Sequence, residues 1–185
     1  MKISDILGMN SRNHLYQSRY NRPKAKRIAD SKLLTKTILR KNHLAVPKLY
    51  KMFKNESTVE RFDFSHLPES FVVKPSQGLG GEGILVIDKK TDENWQLADG
   101  QIVSAGDIKL HILDILSGRY SMLDLPDRAF IEERVRVHPR FEAVCFNGTP
   151  DIGVLVFNQI PVMAFLRLPT QESHGKANMF QGAIA

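Results

Sequence analysis

The stretch Phe71-Val72-Val73-Lys74-Pro75-Ser76-Gln77-Gly78-Leu79-Gly80-Gly81-Glu82-Gly83-Ile84-Leu85-Val86-Ile87 constrains this chain more than any other. An apolar run ends in a lysine, a glycine-rich loop follows, and a second apolar run leaves the loop. Short apolar runs on either side of a glycine cluster read as the two strands of a hairpin. Loops of this composition hold phosphates, because glycine accepts positive φ and lets backbone N–H groups approach an anion. Lys74 at the loop edge adds a point charge.

Gly78, Gly80 and Gly83 also satisfy G-x-G-x-x-G, so the flanks must decide what the loop is. A dinucleotide fingerprint opens a helix. Here Gly83 opens Ile84-Leu85-Val86-Ile87, a β-rich run. A Walker A loop needs Gly-Lys-Ser/Thr after its glycines, and none follows. A protein kinase has its lysine after the loop and carries His-Arg-Asp and Asp-Phe-Gly motifs, which are missing. An ordinary hairpin turn is the plain alternative, since turns also collect glycine.

With 185 residues, the chain can form one domain or two small ones. Its 42% hydrophobic and 25% charged residues are ordinary globular values. It has no apolar run of about 18 residues for a membrane span and no apolar leader segment near Met1. Cys145 lies alone in Ala143-Val144-Cys145-Phe146, where a small core residue is expected. With no intrachain disulfide possible, the expected compartment is the cytoplasm.

The net charge of +6 is unevenly distributed: residues 1–54 carry 14 Lys/Arg against 2 Asp/Glu, and the remainder 12 against 18. A basic arm of this kind suits nucleic acid, an acidic lipid surface or an acidic substrate. The aromatic residues there are sparse and no nucleic-acid motif is present, so a solvated face with a few phosphate contacts is expected, and nucleic acid is not.

Residues 1–29 show short helical patches broken by Gly8, Asn10 and Pro23. Asp30 or Ser31 can cap a helix over Lys32–Lys41, with Leu34, Ile38 and Leu39 on one face and an exit at Asn42-His43, where Asn42 tolerates the left-handed conformation in place of glycine. Val46–Tyr50 is extended, because the residue before Pro47 avoids the α region. A weak strand pair spans Trp95–Val103 with a turn at Asp99-Gly100. Asp107 can cap a helix over Ile108–Ser117 that Gly118 ends. Ala129–Val135, Phe141–Phe146, Ile152–Phe157 and Val162–Leu168 read as strands, with turns at Asn147-Gly148 and Asn158-Gln159. The mixture implies an α+β class with antiparallel hairpins.

The order of these motifs resembles the ATP-grasp superfamily, and within it the branch of the ribosomal-protein glutamate ligases. Asp30–Lys36 followed by Val46-Pro47 is similar to the helix and strand that begin the nucleotide-binding half. Phe71–Gly83 resembles the lysine strand and phosphate loop, and Ile131-Glu132-Glu133 resembles the hinge strand beside adenine. Asp151-Ile152 with Pro161–Arg167 resembles a strand pair bearing a ribose contact and a substrate-facing arginine. Gly175–Gly182 resembles a basic-x-Asn-Leu segment. The resemblance implies an ATP-grasp fold with nucleotide between two α+β subdomains: a basic arm over 1–29, a first subdomain over 30–128 and a partial second over 129–185.

It further implies an ATP-dependent carboxylate–amine ligase that acts through an acyl phosphate, on a small-molecule or peptide carboxylate and an amino acid. Lys32 and Lys74 would lie near the phosphates, with Gly78, Gly80, Gly81 and Gly83 covering them. The backbone from Glu132 would take adenine, with Glu133 or Asp151 near the sugar. Only one of Glu132 and Glu133 can face a ligand, since they alternate. Arg167 and Lys176 would meet the transferred phosphoryl or substrate carboxylate, with Asn178 beside them. His111, His138 and His174 lack metal-ligand spacing.

Two departures stand out. The family shows Asp-Ile-Arg where this chain has Asp151-Ile152-Gly153. Its later carboxylates for Mg2+ would follow Ala185, so the expectation is a truncated unit with weak turnover. The alternative is a non-catalytic nucleotide-binding or partner-binding remnant.

Overall fold

A computed structural model describes residues 6–78 and 80–185. Residues 1–5 of the basic arm and Leu79 of the glycine loop lie outside the described residues. Strands β1 (Leu49–Phe53), β2 (Phe71–Pro75), β3 (Leu85–Lys90), β4 (Trp95–Leu97), β5 (Ile102–Val103) and β6 (Ala129–Glu133) form one sheet in the order β1-β6-β2-β3-β4-β5. Every pairing in it is antiparallel. The hairpin read from the sequence is β2–β3, with Phe71 opposite Ile87 and Val73 opposite Leu85. The glycine loop is its connection. β6 inserts between β1 and β2, setting Val72 opposite Glu132 and Lys74 opposite Phe130.

Alternation along the strands divides the sheet into two unlike faces. Phe71, Val73, Ala129 and Ile131 join the hydrophobic core with α6 (Ala105–Leu116), whose Ile108, Ile112 and Ile115 recur at helical spacing. Each such side chain contributes about 1.5–3 kcal/mol when fully buried. Val72, Lys74, Phe130 and Glu132 occupy the other face, which is mostly buried but polar at two of its four positions. Helix α4 (Lys32–Lys41) borders that face. The Ser31 hydroxyl caps α4 by accepting from the Leu34 amide at 3.3 Å.

The described part of the arm is helical in short pieces, though Asn10, expected as a break, lies inside the first of them. Helix α1 (Met9–Arg12) continues through a π-turn at Asn13–Gln17 into α2 (Ser18–Tyr20), and α3 (Pro23–Asp30) starts on its proline. Helix α5 (Glu56–Glu60) packs against α6. A second sheet is a ribbon of β7 (Asp151–Phe157) and β8 (Ile160–Arg167), joined through Asn158 and Gln159, both at positive φ as a tight hairpin turn requires. The molecule is thus of mixed α and β content with antiparallel sheets.

Four local expectations need correction. The predicted strand over Phe141–Phe146 is instead a short helix, α7 (Pro139–Glu142), and a turn. Pro139 sits at the first helical position and the His138 ring accepts from the Arg140 amide, so the local start signal wins where no strand is available to pair. Cys145 therefore lies half-buried after that helix, outside the core. The cap of α6 is Ser104, not Asp107. Asp107 is the reciprocal partner in a capping box, its carboxylate accepting from the Ser104 amide at 2.8 Å. At the exit of α4 it is His43 that takes the left-handed conformation, at φ 58°, while the Asn42 side chain donates back to the Ile38 carbonyl.

Candidate functional site

The polar face of the sheet is organised around Glu132, which is 4% exposed. Its Oε1 lies 2.8 Å from Lys74 Nζ and its Oε2 lies 2.5 Å from Lys36 Nζ. Lys36 also donates to the Pro47 carbonyl at 2.6 Å. One carboxylate thus holds two ammonium groups, leaving the trio with a net positive charge. Lys36 is the member that the sequence reading missed. Its signal was its position four residues after Lys32, one turn along the same helix face.

Lys32, at the start of α4, donates to the Gly78 carbonyl at 2.8 Å. Burial holds its ammonium below the usual lysine range; Asp127 opposes that shift, and Lys74 adds to it by repulsion. Lys32 and Lys74 are therefore close enough to sense one another, and an anion placed between them relieves that repulsion.

The glycine loop is held from three directions. Lys32 takes the Gly78 carbonyl, Asn178 Nδ2 donates to the Gly80 carbonyl at 2.9 Å, and the His111 ring lies 2.9 Å from the Gly83 carbonyl. Gly80, Gly81 and Gly83 all have positive φ, the reason this loop needs glycine. Lys176 runs alongside: a Cβ on Gly81 would lie 3.6 Å from its Cδ. At the loop's entrance the Asp127 carboxylate accepts from the Gln77 amide at 2.8 Å and the Arg128 amide at 2.7 Å. His111 and Asp127 were not foreseen as site residues. His111 lacks metal-ligand spacing in the sequence, and Asp127 has no local motif.

The C-terminal segment reaches the loop through a close backbone approach. A Cβ on Gly148 would lie 1.8 Å from the Gly175 carbonyl oxygen, so only glycine lets these two turns meet. The segment also pairs back just after β8, through an isolated Leu168–Ile184 bridge. These contacts set Lys176 and Asn178 over the glycines.

Other candidates are placed differently. Glu133 is exposed, its carboxylate accepting from the Lys48 amide at 3.0 Å and its own amide donating to the Lys48 carbonyl at 2.8 Å. Past it, Arg134–Arg136 line an open groove of about 810 Å³ together with Val46, Pro47 and Tyr50. Asp151 and Arg167 engage each other in a two-pronged pair at 2.6 Å. Among the described residues no hydrogen bond or ion pair joins them to the lysines. The Phe165 ring covers Gly153, its Cζ 2.3 Å from where a Cβ would sit, so the space for an arginine side chain there is filled by phenylalanine.

The sequence model of one family, described as sugar-transfer associated ATP-grasp, matches residues 11–185. The chain belongs to this ATP-grasp family. No curated protein and no solved structure matches it significantly. Membership gives the fold its name and places the chain in a nucleotide-binding, ATP-dependent ligase-like superfamily whose members bind ATP. It supports the superfamily and not the glutamate-ligase branch specifically.

ATP-grasp proteins usually bind ATP with Mg2+. Mg2+ at a nucleotide is usually held by one or two carboxylates together with the substrate phosphates. Near the lysines, the Glu132 carboxylate is taken by two ammonium groups and Asp127 by two amides. Among the described residues no group of three His, Cys, Asp or Glu side chains gathers to hold a metal. With both carboxylates so engaged, Glu132 and Asp127 do not fit such an ion. No helix among the described residues is long and apolar enough to cross a membrane.

Proposed function

We propose that this ATP-grasp protein binds ATP between the polar face of the six-stranded sheet and the C-terminal segment, and activates a carboxylate for attack by an amine. One observation carries the reading: Lys32 and Lys74, both half-buried, stand beside the glycine loop while Asn178 closes on it. Two half-buried cations by a positive-φ glycine loop suit a phosphate. The groove at Arg134–Arg136 lies where β6 ends and suits the base.

In the proposed reaction a substrate carboxylate oxygen attacks the γ-phosphorus, the bond to the β-phosphate oxygen breaks, and ADP leaves. The amine nitrogen then attacks the acyl carbon, phosphate departs and the nitrogen loses a proton. Lys32, Lys74 and Lys176 would offset the charge that develops on the transferred group. Arg167, held by Asp151, would orient the carboxylate. A glutamate-like donor is the finer form of this proposal, supported by the motif order alone. Division into subdomains over 30–128 and 129–185, with an arm before them, belongs to the same proposal, as does a cytoplasmic location.

The test is calorimetric titration with ATP, followed by ADP release in the presence of candidate carboxylates and hydroxylamine, which traps an acyl phosphate as a hydroxamate. Binding that Lys32→Ala and Lys74→Ala both weaken, with carboxylate-dependent hydroxamate, supports a ligase. Binding with no hydroxamate from any carboxylate supports the second reading, a nucleotide-binding protein without turnover. The closed Asp151–Arg167 pair favours that reading.

A further inference from the structure

The arm and the ribbon together present a surface that nucleotide chemistry does not use. Residues 6–29 contain Arg12, Arg19, Arg22, Lys24, Lys26 and Arg27 and no acidic residue. All six are exposed, and none makes an ion pair among the described residues. Interleaved with them, Met9 is 72% exposed, Leu15 47% and Tyr20 50%.

The ribbon next to the arm is apolar and exposed as well. Ile152 and Val154 of β7 share a face with Val162 of β8, at 70%, 53% and 62% exposure. Arm and ribbon are continuous, because Tyr16 and Tyr20 rest edge-on against Phe157 at the ribbon tip, with ring centroids 6.2 and 4.9 Å away. Exposed apolar area of this extent marks a docking surface.

We propose that the arm and the β7–β8 ribbon dock this protein on an anionic lipid surface. Charge complementarity selects the partner. Six cations without an acidic residue attract acidic headgroups, while Met9, Leu15 and the ribbon aliphatics enter the acyl boundary and tyrosines sit at headgroup level. A nucleic acid would use the cations but gains nothing from exposed aliphatic side chains. A second copy would bring six like charges against six across a two-fold interface.

The test is co-sedimentation of the 185-residue chain with vesicles of equal parts phosphatidylglycerol and phosphatidylcholine, and with phosphatidylcholine alone. Binding is expected on the anionic vesicles only, weakening as salt is added. Replacing three cations, Arg22→Gln, Lys24→Gln and Lys26→Gln, is expected to weaken it about a hundredfold, from roughly fivefold per cation. Binding that persists at high salt is expected to disappear in Ile152→Ser/Val162→Ser. All these side chains are exposed, and melting curves confirm the fold; if the double variant melts early, Ile152→Ser alone makes the comparison. Equal binding to both vesicle types overturns the proposal. So does a ribbon variant that binds like the parent, displacement from vesicles by oligothymidylate at matched charge, or a dimer that Ile152→Ser dissolves in a chain that ignores vesicles.

Discussion

Lys74 and Glu132 share the polar face of the sheet on adjacent strands, with Lys74 Nζ 2.8 Å from Glu132 Oε1. The lysine that the sequence marks as a phosphate ligand is thereby aimed and partly neutralised from β6. Lys36 completes the arrangement from α4.

Removing the carboxylate strands a buried ammonium. Glu132→Ala is expected to destabilise the fold by about 3–5 kcal/mol, the cost of breaking a buried pair. Urea unfolding measures it. Glu132→Leu combined with Lys36→Met is expected to recover most of the loss, because the uncompensated charge goes with the carboxylate. A double variant as unstable as Glu132→Ala would mean that packing, rather than charge, sets the cost.

Lys74 is more open than its partners, with 28% of its side chain exposed, so its loss falls on binding. Lys74→Ala is expected to keep the fold and weaken ATP by about 1.5–3 kcal/mol, the range for hydrogen bonds to charged groups. Calorimetry that finds unchanged affinity would remove Lys74 from the site.

Lys32 makes binding depend on pH. Burial depresses its pKa below the usual lysine value of 10.5. The ionised form is therefore disfavoured in the fold: its cost is full below the folded pKa and is relieved as pH rises toward the unfolded value. A phosphate beside Lys32 favours the ammonium again. Nucleotide binding is expected to take up a proton in the alkaline window below 10.5, with affinity falling as pH rises through it. Calorimetry in two buffers of different ionisation heat detects that proton, and Lys32→Met abolishes it.

Gly148→Ala is expected to push the Gly175 turn away, since the new Cβ would lie 1.8 Å from its carbonyl oxygen. Lys176 and Asn178 move with that turn. Amide exchange over Gly80–Gly83 should accelerate, as it should in Asn178→Ala, which removes the bond to the Gly80 carbonyl, worth about 0.5–1.5 kcal/mol, along with the one accepted from the Phe180 amide. If exchange in the loop speeds up in Asn178→Ala alone, the Gly148 contact does not position the segment.

Wherever local chemistry is strong, the sequence alone carries the structure. The β2–β3 hairpin, its lysine and its glycines follow from apolar runs and positive-φ needs, and the Asp99-Gly100 and Asn158-Gln159 turns follow from turn residues. Motif order was enough for the superfamily, which the match over residues 11–185 establishes. The tertiary structure decided what depends on distant partners. Lys36 is an ordinary helix lysine until β6 brings Glu132 against it, 96 positions later in the chain. Asp151 and Arg167 carry no sign of each other in the sequence; antiparallel register puts them opposite, and their charges pair. Alternation predicted that only one of Glu132 and Glu133 could face inward; that it is Glu132 was set by β6 entering between β1 and β2. Long-range pairing of this kind leaves no periodicity in a sequence, because it is selected by the burial of whole faces and the pairing of charges those faces enclose.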